Sequence, residues 1–192
     1  MNNKILFAYG SLTNSLSRIK VIKNKTYFYG NLFSYKRIWS INVEQKNFTG
    51  LGIIYDKNYY CNGIYIPISE KDIKELDVRE IKESGNKYER LLLDNKFCDQ
   101  RFKKNKIYTY VSKNVENPSH DFPLIQSYID VVIQGFMEYN IEYAIEFCRT
   151  TFNWSKYYIN DRNAPIYHKT KNIKKYYNII EKILYSSKIL NN

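Results

Sequence analysis

Phe7-Ala8-Tyr9-Gly10-Ser11-Leu12 ends an apolar run that begins at Ile5. A β-prone run that stops on Gly-Ser predicts a buried strand followed by a tight turn, with main-chain N–H groups left unpaired at the strand end. Successive N–H groups in such a turn form a concave nest that suits an anion. An ordinary turn, with Gly10 supplying an unusual backbone angle, is the alternative reading. Much later, Leu76-Asp77-Val78-Arg79-Glu80 brings carboxylates onto the apolar face of a short helix. The two segments together predict an anion cradle facing a buried acid, which points to an enzyme.

Outward from that strand, the first half reads as further short strands: Tyr27 to Phe33, Lys36 to Ile41, Leu51 to Tyr55 and Cys61 to Ile66. Each is rich in aromatic and β-branched residues, and Gly, Asn, Asp and Ser punctuate them. Tyr88 to Leu93 and Ile107 to Val111 continue the pattern past an inserted helix. Seven short strands favour an α+β fold built on a small mixed β-barrel or strongly curled sheet. One domain is expected over 1–192, with the barrel and its inserted helix (about 69–82) in 1–115 and a helical extension packed on it in 116–192.

The inserted helix starts at Ser69, a good N-cap, with Glu70 and Asp72 in the first turn where the helix dipole favours acids. Its apolar stripe runs through Ile73 and Leu76, and three- and four-residue steps along it reach Asp77 and Glu80. Gly85 and Asn86 end the segment. After a polar loop over 114–123, apolar residues recur at helical spacing in Leu124 to Tyr139, through Ile125, Ile129, Val132, Ile133 and Phe136. Helices are also predicted over Glu142 to Thr151 and Asn172 to Ile189. The aromatic stretch Phe152 to Tyr167 between them is too long for a plain connection, so it must be packed down or functional.

Composition narrows the classes. Hydrophobic content of 44% suits a packed globule. No stretch approaches the roughly 20 apolar residues of a membrane span, and the N-terminus lacks a signal-peptide pattern, so a cytoplasmic protein without membrane contact is expected. Cys61, Cys98 and Cys148 show no CxxC spacing, and only His120 and His168 stand by as further soft ligands, so reduced structural thiols and no metal are expected. A net charge of +11 with 20 Tyr and 10 Phe is compatible with nucleic-acid binding. The lysines, however, recur singly along the chain, densest in Arg101 to Lys106 and Lys169 to Lys175, which reads as solvated surface with no nucleic-acid partner.

Glu80 is the residue singled out on physical grounds. A carboxylate turned to an apolar face and short of water is a usable general base near neutral pH. The plainer reading is an ion pair with Arg79 or Arg90. Asp77, a turn earlier, reads as structural, bonding the backbone of a neighbouring loop.

These residues resemble a known family, the gamma-glutamylcyclotransferases, including the ChaC-like and AIG2-like branches. The family opens with a strand running into Tyr-Gly-Ser/Thr-Leu, matched by Tyr9-Gly10-Ser11-Leu12. A strand pair of Gly-Tyr-x-Arg character is similar to Gly30 to Arg37, which ends in Ser34-Tyr35-Lys36-Arg37. The ChaC-like signature resembles Gly63-Ile64-Tyr65, the helix from Ser69, and Leu76-Asp77-Val78-Arg79-Glu80, with its following tyrosine matched by Tyr88. Tyr110 to Ser119, with Asn114, Asn117 and Pro118, is similar to the strand exit leading to the family's next helix. The resemblance covers residues 4–139. It departs in the inserted Ser84-Gly85-Asn86-Lys87 and in a longer C-terminal third.

The resemblance implies cyclisation of a γ-glutamyl group to 5-oxoproline with release of an amine, needing no cofactor. It assigns Glu80 as the acid/base residue and Tyr9, Gly10, Ser11 and Leu12 as the substrate loop. A polar substrate in an aromatic mouth needs a few fixed donors, so at least one of Tyr35, Tyr88 and Tyr110 is expected to line the pocket, Tyr88 being the one the resemblance favours. A small-molecule γ-glutamyl substrate and a monomer or weak homodimer are expected. Alternatives are a cyclotransferase for γ-glutamyl-amines or another modified metabolite, a binding module that lost catalysis, and a basic nucleic-acid-associated protein.

Overall fold

The structure, a computed structural model, describes residues 4–167, 173–187 and 189. The apolar run forms β1 (Lys4–Ala8), and it is apolar from Ile5 onward because both of its faces are covered there. It lies inside a six-stranded mixed sheet with β2 (Phe28–Val43), β3 (Phe48–Ile68), β4 (Tyr88–Leu92), β5 (Lys106–Ser112) and β7 (Thr151–Phe152), in the order β4-β5-β1-β3-β2-β7. β1 runs parallel to β5, with Leu6 opposite Tyr108, and antiparallel to β3, with Leu6 opposite Ile66. Alternation along β1 then feeds two cores. Ile5, Phe7 and Tyr9 pack with α3 (Gln126–Met137), α4 (Ile141–Arg149) and α5 (Tyr177–Ser186). Leu6 and Ala8 pack with Ile22, Ile64, Ile66 and with Ile73 and Leu76 of α2 (Glu70–Asp77). Burying a side chain of this size stabilises by about 1.5–3 kcal/mol.

Two expectations are corrected. The sheet is open, ending on β4 and β7, and does not close into a barrel. The many short strands that suggested closure are fewer and longer: Tyr27–Phe33 and Lys36–Ile41 belong to β2, and Leu51–Tyr55 and Cys61–Ile66 to β3. The apparent turn residues are bulges inside one continuing hairpin. Ser34 takes φ 62 where the register shifts between Phe33 and Tyr35, and a second shift falls between Trp39 and Ile41.

The inserted helix is built as its sequence implies. Ser69 and Asp72 form a reciprocal capping box, Ser69 N–H donating to Asp72 Oδ2 (2.8 Å) and Asp72 N–H to Ser69 Oγ (3.2 Å). Helix α2 then widens into a π-helical turn, Val78–Lys82, whose closing bond runs five residues back from Glu83 N–H to Val78 C=O (2.9 Å). Ser84 stops the turn by donating to Glu80 C=O (2.6 Å), and Gly85 (φ 69) and Asn86 (φ 65) reverse the chain. The insertion Ser84–Lys87 is therefore the terminator of the turn that carries Glu80.

The long aromatic loop is packed down. It supplies β7 and β8 (Tyr158–Ile159), the latter parallel to β6 (Leu124–Ile125). Asp161 accepts from Ser127 N–H (2.7 Å) and from Ile166 N–H (2.8 Å), acting as the missing cap of α3. His168 and Asn172 lie outside the described residues, and the last helix is described over Tyr177–Ser186. All three cysteines are free and buried, and burial pushes the Cys61 thiol up to about 11 and those of Cys98 and Cys148 to about 12. No described helix is long and apolar enough to cross a membrane.

The turn after β1 is wedged against α3 at Gly135. A Cβ there would stand 2.4 Å from Asn14 N and 2.7 Å from the Thr13 carbonyl carbon. Gly135→Ala gains about 1 kcal/mol of helix propensity but forces backbone apart, which costs typically 1–3 kcal/mol or more. A net loss of stability is expected in urea unfolding, and a gain would mean that the turn yields freely.

Candidate active site

A cleft opens at the C-terminal end of β1. The chain turns there through a 3-10 turn, Ser11–Thr13, whose first hydrogen bond runs from Thr13 N–H to Gly10 C=O (2.9 Å). The N–H groups of Ser11 and Leu12 precede that bond and have no partner within the turn. Gly10 has φ −129, so it is not here for a left-handed conformation. Its missing Cβ instead keeps the loop's face open toward the Tyr128 hydroxyl, 3.5 Å from where a Cβ would stand. From there α1 (Ser15–Arg18) begins on Asn14, whose amide donates to Val131 C=O and Gln134 Oε1 and ties the loop to α3.

The cleft at this opening measures about 40 Å³ and is lined by Leu6 to Leu12, Leu51, Glu80, Tyr88, Tyr110 and Tyr128. The Tyr9-Gly10-Ser11-Leu12 loop and Glu80 thus lie side by side. Tyr88 and Tyr110 are brought to the same place. Tyr35 is not: the bulge at Ser34 turns it into an aromatic cluster with Tyr55 and Phe97, and it does not line the cleft.

Glu80 is mostly buried and does not stand alone. Its Oε1 forms an ion pair with Arg79, 3.1 Å from Nε, while Arg79 Nη2 donates to Ser11 Oγ at 2.9 Å. The ion-pair partner is Arg79 rather than Arg90, and the same guanidinium clasps both halves of the cleft. Burial pulls Arg79 down, but Glu80, with Tyr167, Tyr128 and Glu83, outweighs this and holds it above its ordinary value. Asp77 is structural, through side chains rather than loop backbone: it accepts from Tyr110 Oη (2.7 Å) and pairs with Arg90 (2.5 Å).

The phenols share one feature. Tyr9 Oη donates to Tyr110 C=O (2.6 Å), Tyr88 Oη to Leu51 C=O (2.5 Å) and Tyr110 Oη to Asp77. A phenol has one donor hydrogen, so these oxygens can only accept from whatever enters the cleft. Burial, reinforced by the Glu80 charge, raises the Tyr9, Tyr88, Tyr110 and Tyr128 hydroxyls above their ordinary range and keeps them protonated. The cleft therefore offers N–H donors on the loop side and a carboxylate with phenol lone pairs on the other, a match for a small zwitterion.

Two contributors escaped the sequence reading. Tyr128 sits on the α3 stripe that reads as plain core, although a tyrosine there needs a partner for its hydroxyl. Arg79 stands three residues after Leu76, a helical neighbour of the same stripe, and was read only as a counter-ion.

No protein-family model and no curated protein matches the chain by sequence. Solved structures do. One described as a gamma-glutamyl cyclotransferase superposes with a TM-score of 0.64 at 18% identity, over 93% of this chain and 98% of that one. An uncharacterised protein from Homo sapiens gives 0.65 at 17% identity, over 94% and 99%. This chain has the gamma-glutamyl cyclotransferase fold. YkqA from Bacillus subtilis shares it more distantly, with a TM-score of 0.53 at 16% identity over 72% of this chain and 49% of that one.

Proposed function

We propose that the protein is a gamma-glutamylcyclotransferase. The observation that carries the reading is the juxtaposition, in the lining of one cleft, of Glu80 with the Ser11–Leu12 turn, whose N–H groups have no partner within the turn. The α-carboxylate of a γ-glutamyl group docks on the loop, and its α-ammonium faces Glu80 and the phenol oxygens. Glu80 takes one proton from the ammonium. The freed amine attacks the γ-carbonyl carbon, forming the ring C–N bond and placing the carbonyl electron pair on oxygen. Collapse of that centre breaks the bond to the leaving nitrogen, which receives the proton from Glu80. The ring nitrogen gives its surplus proton back to Glu80, which loses it to water. The products are 5-oxoproline and a free amine. Intramolecular attack is worth effective molarities of about 10⁵ M or more, so holding the folded substrate supplies much of the acceleration.

The test is incubation with glutathione, γ-glutamyl dipeptides and γ-glutamyl-amines while 5-oxoproline is followed. Release from none of them ends the reading.

Tyr88→Phe removes the bond to Leu51 C=O and one acceptor from the cleft. Leaving that carbonyl unpaired costs about 1–3 kcal/mol of stability. KM is expected to rise several-fold. Unchanged KM and kcat would remove Tyr88 from the site.

A further inference from the structure

The cleft is too small for a whole γ-glutamyl compound. At about 40 Å³ it holds roughly three waters, whereas small-molecule sites run to about 300 Å³ and above. An open groove of about 440 Å³ lies alongside, between α1 and α2, lined by Ser17, Lys20, Val21, Lys74, Glu75, Val78, Arg79 and Glu83. Arg79 is the point of contact between the two spaces. It lines the groove, yet its bonds go to Ser11 and Glu80 of the cleft. The groove also carries Lys20 and Lys74 against Glu75 and Glu83, so with Arg79 its cations outnumber its carboxylates.

Two consequences follow from this placement. While Arg79 stays where it is, Glu80 is tied in an ion pair, and the guanidinium that lines the groove is held on Ser11 and Glu80 of the cleft. An anion in the groove, however, competes with Glu80 for the guanidinium, whose five N–H donors are only partly used by its hydrogen bond to Ser11 beside the ion pair with Glu80. A planar fork suits a carboxylate in a two-pronged grip.

Resting on the cyclotransferase reading, we infer that Arg79 is a substrate-operated latch: a carboxylate on the leaving amine, seated in the groove, draws Arg79 away from Glu80, joining groove to cleft and releasing the base. Substrates whose leaving group lacks a carboxylate do not open it. Arg79 is thus a specificity-determining residue, selecting γ-glutamyl amino acids or peptides over γ-glutamyl-amines.

The experiment compares γ-glutamyl-alanine with γ-glutamyl-alaninamide on the parent protein, Arg79→Gln and Arg79→Lys, reading kcat/KM from 5-oxoproline release. The parent is expected to prefer the acid by about 10-fold or more, the worth of one charge-assisted hydrogen bond. Arg79→Gln is expected to bring the two substrates within about two-fold, and Arg79→Lys to restore part of the preference. A merely structural Arg79 would lower both substrates by the same factor, and that result, or a parent with no preference, overturns the latch while the cyclotransferase reading stands. No 5-oxoproline from the parent with either substrate overturns the reading and the latch together.

Discussion

Glu80→Gln is expected to lower turnover by about 10²-fold or more, with the fold retained. The amide keeps the shape of the carboxylate and can still set its oxygen toward Arg79 Nε, which stands 3.1 Å from Oε1 in the parent. It cannot take the ammonium proton, and general base catalysis is typically worth 10²–10⁴. The exchange also takes the charge from a mostly buried ion pair, at about 1–3 kcal/mol, so a modest fall in melting temperature accompanies the loss of activity. The two effects separate cleanly. If Glu80 served only as the counter-ion of Arg79, unfolding would shift and the rate per folded molecule would stay nearly intact. Thermal unfolding and 5-oxoproline release on one preparation decide the matter, and a rate within a few-fold of the parent would sink the proposed mechanism.

The parts of the molecule legible in the sequence are those set by local rules. The unbroken apolar run of β1 announces a strand covered on both faces. Ser69 and Asp72 announce the start of α2, and steps of three and four residues from Ile73 and Leu76 carry the reader to Glu80. That is enough to place the loop and the acid in one cleft. What was misread depends on long-range pairing. Ser34 looks like a turn residue, and only the cross-strand register shows a bulge inside a single hairpin. The same misreading multiplies the strands and suggests a barrel, and the bulge sets Tyr35 away from the cleft that its hydroxyl was expected to line.

Arg79 and Tyr128 illustrate a second limit. Both lie on stripes whose apolar members account for the periodicity, so their polar ends attract no notice. Their partners, Ser11 and the opposite wall of the cleft, come from β1 and its turn, far away in sequence. The π-helical turn at Val78–Lys82 is equally hidden, because no composition marks a five-residue hydrogen bond. It is also where such turns commonly occur, at a candidate functional side chain.

Arg37→Leu is expected to cost about 3–5 kcal/mol, the largest stability effect of any substitution considered, because it strips a buried hub of its donors. Arg37 is fully buried on β2 and makes six hydrogen bonds: to Tyr9 C=O, Asn62 C=O, Asn62 Oδ1, Phe147 C=O, Thr150 Oγ1 and Thr151 Oγ1. None of these acceptors is a carboxylate. Burial therefore pulls the guanidinium below its ordinary pKa, and the charge is held by dipoles and by the faces of Phe136 and Phe147, 5.1 and 4.4 Å away. Leu relieves that desolvation, which is why the expected cost is well short of six separate bonds. It leaves the carbonyls of Tyr9 and Asn62 without their side-chain donor, and Tyr9 is the first residue of the loop proposed to hold the substrate. Arg37→Lys keeps the charge, but three donors on a point-like ammonium cannot serve acceptors arrayed around a planar fork, so a loss of about 2 kcal/mol or more is expected there too. Urea unfolding of both variants gives the stabilities. Because the missing bond lies behind the loop and not at Glu80, the Lys variant should raise KM more than it lowers kcat. Stability of both variants within about 1 kcal/mol of the parent would show that water takes over the acceptors and that the loop is positioned by α3 alone.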